Sequence, residues 1–144
     1  MTDYATLKVE RQGPVGWLIF NRPDQLNAMD PALIAALQDY FRGLHDRYDV
    51  RVVLLRGAGR AFCAGLDLKA WGRDSDKGLV QQTWATQRSI ASVMQLMRSC
   101  PQPIMALAQG AACGGGFSLL LSSDVRFATP DAKMNAAYIK IGLG

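Results

Sequence analysis

The stretch "QGAACGGGFSLLLSSD", residues 109–124, decides how the rest of the chain is read. Three glycines, Gly114–Gly116, run straight into an apolar segment, Phe117–Leu121. Glycine is disfavoured inside a helix or strand because its backbone has the most freedom to lose. Two physical reasons would put three of them where a buried element begins. One is close packing of the new helix against a strand. The other is ligand approach: the first amides of a helix have no intrahelical partner and lie at the positive end of its dipole. Bare glycine backbone there presents N–H groups to a phosphate or to a developing oxyanion. The phosphate version lacks its companions, since neither GxxxxGK[ST] nor a GxGxxG before the helix is present. GxSxG is absent too, which argues against a serine hydrolase. The segment alone leaves packing and ligand approach both open.

Working outward, Ile104–Ala108 reads as a buried strand before the glycines. Val125–Ala128 reads as a strand after the helix, and Lys133–Asn135 as a further one. Upstream, Leu7–Gln12 alternates like a strand, Gly13-Pro14-Val15-Gly16 signals a turn, and Trp17–Phe20 is a second strand. Asn21-Arg22-Pro23-Asp24 breaks it. Asp30 then sits as an N-cap with Pro31 at the first helical position. Leu33, Leu37, Phe41 and Leu44 follow at helical spacing, which predicts a helix over 31–47. Val50–Arg56 is β-branched and apolar, like a strand buried on both faces. The spacing predicts a long helix over 78–98, with Leu79, Thr83, Ile90, Val93 and Met97 on one side, ended by Pro101 and Pro103. Strands alternating with helices predict an α/β fold.

At 144 residues, with 49% hydrophobic and 19% charged residues, the chain fits a single domain, 1–144, with a sizeable core. The net charge is +4, but the basic residues are scattered, so no nucleic-acid groove is predicted. A mild positive balance suits a small anionic ligand. Cys63, Cys100 and Cys113 are odd in number and widely spaced, and no secretory leader is seen. The expectation is a cytoplasmic protein without disulfides, with no metal site. The apolar runs are too short to span a bilayer, so no membrane insertion is expected.

A second loop resembles the first. "GRAFCAGLDLKAW", residues 59–71, also places glycine and exposed amides after a buried strand, and Asp67 can cap a short turn behind it. Two amides from two loops are the minimum for an oxyanion hole, each donor being worth about 3 kcal/mol of transition-state stabilisation. Together with "NRPDQLNAM" at 21–29 and "AACGGGFSLLLSSDVRFAT" at 111–129, this loop closely resembles the enoyl-CoA hydratase/isomerase, or crotonase, family. The resemblance implies a crotonase-like fold of stacked β-β-α units. It also implies acyl-CoA thioester substrates, no cofactor beyond coenzyme A in the substrate, and a place in fatty-acid or related acyl-CoA metabolism. By motif position, the Leu66 and Gly115 amides would hold the thioester oxygen and stabilise an enolate. Ala64, Gly65, Leu66, Asp67, Leu68 and Lys69, with Ala28 and Gly115, would contact the substrate.

Departures from the family pattern sharpen the reading. The hydratases place two glutamates where this chain has Ser118 and Tyr138. Serine is no base near neutral pH without a partner, and a phenol, with an ordinary pKa of about 10, donates a proton more readily than it accepts one. Asp124, the carboxylate nearest the glycine helix in sequence, is the remaining candidate for proton transfer, against a structural role in fixing its loop. His45, Cys63 and Cys113 read as surface or packing residues. Trp71 and Trp84 read as core, or as acyl-pocket walls. Two functions follow: a lyase or isomerase acting through an enolate, or a non-catalytic acyl-CoA binder. The resemblance further implies C-terminal helices that this chain is expected to lack. A broad apolar patch and self-association as a trimer or hexamer are therefore expected.

Overall fold

The computed structural model describes residues 4–71, 76 and 78–142. Strands β1 (Leu7–Gln12) and β2 (Val15–Phe20) form a hairpin whose two-residue loop puts Gly13 at φ 58°. Helix α1 (Pro31–Leu44) follows, then β3 (Val52–Gly57), α2 (Leu79–Ser99) and β4 (Ile104–Ala108). After β4 come β5 (Ala111–Cys113), α3 (Gly115–Leu121), β6 (Val125–Ala128) and β7 (Lys133–Asn135). The main sheet runs β1-β2-β3-β4-β6, antiparallel only at β1–β2, and a smaller sheet pairs β5 with β7 in parallel. Two β-β-α units, β1-β2-α1 and β4-β5-α3, are visible in this order.

Local chemistry accounts for the elements. The Asp30 carboxylate accepts the Leu33 N–H at 2.7 Å, and Pro31 stands at the first helical position, so α1 starts where capping dictates. One sheet face carries Leu18, Phe20, Val53, Leu55, Ile104 and Ala106, all buried. It joins Leu33, Leu37 and Phe41 of α1 and Ile90, Val93 and Met97 of α2 in one core. Each such side chain contributes about 1.5–3 kcal/mol on burial. Phe62, on the loop after β3, meets Phe20 edge to face at 5.3 Å and ties that loop to the core.

Three expectations are corrected. β3 and β4 are buried on one face only: Leu54, Arg56, Met105 and Leu107 on the other side are half-buried, and Arg56 lies over the Trp17 ring. Helix α1 ends at Leu44 rather than 47. The buried stripe of α2 is Thr86, Ile90, Val93 and Met97, with Leu79 72% exposed, because the first turns project beyond the core. Strand β5 was not legible locally. Its three residues carry no β-branched side chain. Hydrogen bonds from Cys63 and β7 hold it extended.

Candidate functional site

Asn27 is fully buried with φ 55°, and its side chain makes three bonds. Its oxygen accepts the Arg22 N–H at 2.9 Å, and its amide donates to the carbonyls of Ala58 and Ala61, both at 2.8 Å. The Arg22 guanidinium, largely buried, reaches Asp30 at 3.2 Å and Asp67 at 2.9 Å, and donates to the Ala28 carbonyl. The 21–29 motif is therefore a bracket that joins the start of α1 to the loop after β3.

That bracket orients one amide. Met29 donates to the Gly65 carbonyl at 2.7 Å, and Asp67 donates back to the Met29 carbonyl at 3.0 Å. This parallel bridge uses the groups on either side of Leu66, so the Leu66 N–H faces the other way. Among the described residues it has no hydrogen-bond partner. The indole N–H of Trp71 also donates to the Met29 carbonyl, at 2.8 Å, closing the loop from outside.

The glycine run meets this loop from the opposite side. Gly65, at φ 98°, leaves 2.7 Å between an added Cβ and the Cys113 carbonyl oxygen. On Gly116 an added Cβ would lie 2.1 Å from the Cys63 carbonyl oxygen, and on Gly115 it would lie 2.1 Å from the Met29 methyl. Gly114, at φ 53°, donates to the Asn135 carbonyl at 2.8 Å, and the Gly115 N–H that follows has no partner among the described residues. The close-packing reason for the glycines holds, since Gly65 and Gly116 bring two loops together backbone to backbone.

Leu66, Gly115, Ser118 and Tyr138 all line one cavity of about 380 Å3. Ser118 arrives on α3 and Tyr138 on a 3-10 turn, Tyr138–Ile141, and their hydroxyls are hydrogen-bonded to each other. Ala64, Gly65 and Leu68 also line the cavity, and Met29, Ile90 and Met94 supply apolar wall. Gln87 and Gln95, polar wall from α2, were missed in the sequence because nothing marks a glutamine that faces inward from a helix. No charged side chain lines the cavity among the described residues. A smaller cleft of about 240 Å3 continues past Leu66 and Leu68 to Trp71 and Thr86.

Other candidates lie elsewhere. Ala28, Asp67 and Lys69 do not line the cavity. Asp67 turns to Arg22 and accepts the Lys69 and Ala70 N–H groups. Burial raises its carboxyl, but Arg22 and those amides outweigh that and hold it below the ordinary aspartate value. Asp124 does not line the cavity either. It accepts the Ile104 N–H at 2.8 Å and pairs with Arg98 at 2.8 Å, and the Ile104 bond above all keeps its carboxyl low. The Cys63 thiol is buried, and burial pushes it up to about 12. His45 is exposed just past α1, and Trp84 is 62% exposed beside Arg88, so neither wall nor core claims it.

Residues of both glycine-containing loops line one cavity. The profile of the enoyl-CoA hydratase/isomerase family matches residues 15–144, and the chain belongs to that family. It is 32% identical to the hydroxycinnamoyl-CoA hydratase-lyase of Pseudomonas fluorescens, over 97% of this chain and 51% of that protein. It is 31% identical to the 1,2-epoxyphenylacetyl-CoA isomerase of Escherichia coli K12, over 99% of this chain and 54% of that one. The crystal structure of an enoyl-CoA hydratase/isomerase from Marinobacter aquaeolei superposes with a TM-score of 0.87 at 33% identity, covering 96% of this chain and 54% of that one. The chain thus spans about half the length of the relatives it matches. Among the described residues, no helix is long and apolar enough to cross a membrane.

Proposed function

We propose that the cavity binds an acyl-CoA thioester, and that the backbone N–H groups of Leu66 and Gly115 hold its carbonyl oxygen as an enolate develops. The observation that carries this is a pair of amides, from residues of two different loops that line one cavity, with no hydrogen-bond partner among the described residues. Each donor is worth about 3 kcal/mol of transition-state stabilisation in such sites. The reading needs no metal and no cofactor beyond the coenzyme A of the substrate. It fits a cytoplasmic enzyme of fatty-acid or related acyl-CoA metabolism. Self-association fits as well, since Val125 and Phe127 on β6 are exposed.

A second reading, a thioester binder without turnover, is favoured by one observation: among the described residues that line the cavity there is no carboxylate, where a hydratase needs two. Hydration of a short 2-enoyl-CoA should fall by about 10²–10⁴-fold for want of positioned acid–base help. The test is calorimetric titration with acetyl-CoA and with its thioether analogue, beside assays of enoyl-CoA turnover. Tighter binding of the thioester supports the carbonyl contact. Equal binding of both compounds would remove it. Binding without turnover of any thioester would favour the second reading.

A further inference from the structure

We infer that a second cavity, between α1 and the β1–β2 hairpin, binds a small organic monocarboxylate with an apolar body, its anionic end held by Tyr40, Arg11 and Arg47. This cavity measures about 410 Å3 and shares no lining residue with the one described above. Its occupant is therefore independent of the thioester.

Two glycines shape the cavity. A Cβ added to Gly16 of β2 would lie 2.9 Å from the Tyr40 hydroxyl oxygen and 3.3 Å from Val50 Cγ1, so a side chain at that position would push the phenol away. The Tyr4 hydroxyl donates to Asp39 at 2.6 Å, but that of Tyr40 has no hydrogen-bond partner among the described residues. Burial pushes the Tyr40 hydroxyl up to about 12, so it stays a donor throughout the physiological pH range. A half-buried O–H left unbonded is costly, and an acceptor on a ligand would satisfy it. Gly43 of α1 also lines the cavity, and nothing lies within 4 Å of a Cβ added to it. Glycine is disfavoured inside a helix, and here no close contact requires it. Its effect is to leave the cavity wall open.

The charges point to an anion. Arg11 and Arg47 act on the Tyr40 hydroxyl, and both pair with one carboxylate, Asp49. Arg47 gives Asp49 its Nε at 2.9 Å and its Nη2 at 3.1 Å, which leaves Nη1 unbonded among the described residues. Arg42, a third lining guanidinium, makes no ion pair among them. Against these stand Asp49 and Asp39, the latter already bonded to Tyr4. Strand alternation sends Glu10 to the opposite face of the hairpin from Val9 and Arg11. Three guanidiniums facing two carboxylates fit one further negative charge. A carboxylate accepts from a guanidinium and a phenol at once. Val9, Leu44, Val50 and the Tyr40 ring supply apolar wall, which suits an anion with a hydrocarbon body rather than a bare inorganic one.

The experiment titrates the ¹⁵N-labelled 144-residue chain with sodium benzoate, benzamide and inorganic phosphate, following the Gly16 and Gly43 amides. Expected are saturable movement of both amides with benzoate and at least about tenfold weaker binding of the neutral benzamide, which lacks the charge-assisted bonds. Tyr40→Phe and Arg47→Gln should each weaken benzoate binding about tenfold. Gly43→Leu should abolish it while the thermal midpoint holds or rises, because leucine there meets open space and is the better helix former. Benzoate that moves neither glycine amide overturns the inference. So does equal binding of benzamide, or phosphate bound as tightly as benzoate, which would make this a plain anion site. Benzoate affinity unchanged in both Tyr40→Phe and Arg47→Gln overturns the placing of the anionic end. Should Gly43→Leu fail to fold, those two variants still decide.

Discussion

At the residue scale, Arg22 carries more than its motif suggested. Asn27 and Arg22 were legible as part of the "NRPDQLNAM" resemblance, but their work was not. It depends on Asp30 and Asp67 arriving from separate segments to share one guanidinium. Replacing Arg22 with Met leaves two poorly hydrated carboxylates unpaired, and the expected loss is about 3 kcal/mol in urea denaturation. Wild-type unfolding free energy should also weaken as acid is added. The folded pKa of Asp67 lies below its ordinary 3.8, so its contribution is present above that value and is lost as pH falls through the folded pKa. Asp67→Asn should flatten that part of the profile, and an unchanged slope would show that Asp67 is not its source. Asp124 illustrates what sequence proximity cannot give. It follows α3 closely in the chain, yet its carboxylate is turned to β4 and Arg98.

Among the elements, those with a strong internal pattern were legible: the capped start of α1, the C-terminal part of the α2 stripe at Ile90, Val93 and Met97, and the apolar runs of β3 and β4. Local pattern failed where long-range hydrogen bonds make the element, as in β5, or where one face stays partly open, as in β3. The three glycines were legible as a loop against a helix, but which glycine touches what was not. The contacts separate two substitutions. Gly116→Ala drives a methyl into the Cys63 carbonyl, which is backbone and cannot swing aside, so a loss of about 2 kcal/mol is expected. Gly115→Ala meets only the end of the flexible Met29 side chain, and its cost in the same thermal or urea unfolding should be smaller. The reverse order would mean that the two loops do not pack as described.

For the molecule as a whole, β6 is an edge strand with every residue exposed, and Phe127 stands 56% exposed in a row with Leu107. Such an edge invites association. Sedimentation velocity should show concentration-dependent self-association that Phe127→Glu weakens; a monomer at every concentration would refute it. The larger design brings two loops, distant in the chain, onto one cavity, and the central claim is that their amides share one thioester oxygen. Amide proton shifts in a ¹⁵N-labelled sample, titrated with acetyl-CoA and with its thioether analogue, test this most directly. The account predicts that the Leu66 and Gly115 amides both move downfield with the thioester and stay near their free positions with the thioether. Saturated binding of acetyl-CoA with either amide unmoved, or equal movement with both compounds, would contradict it.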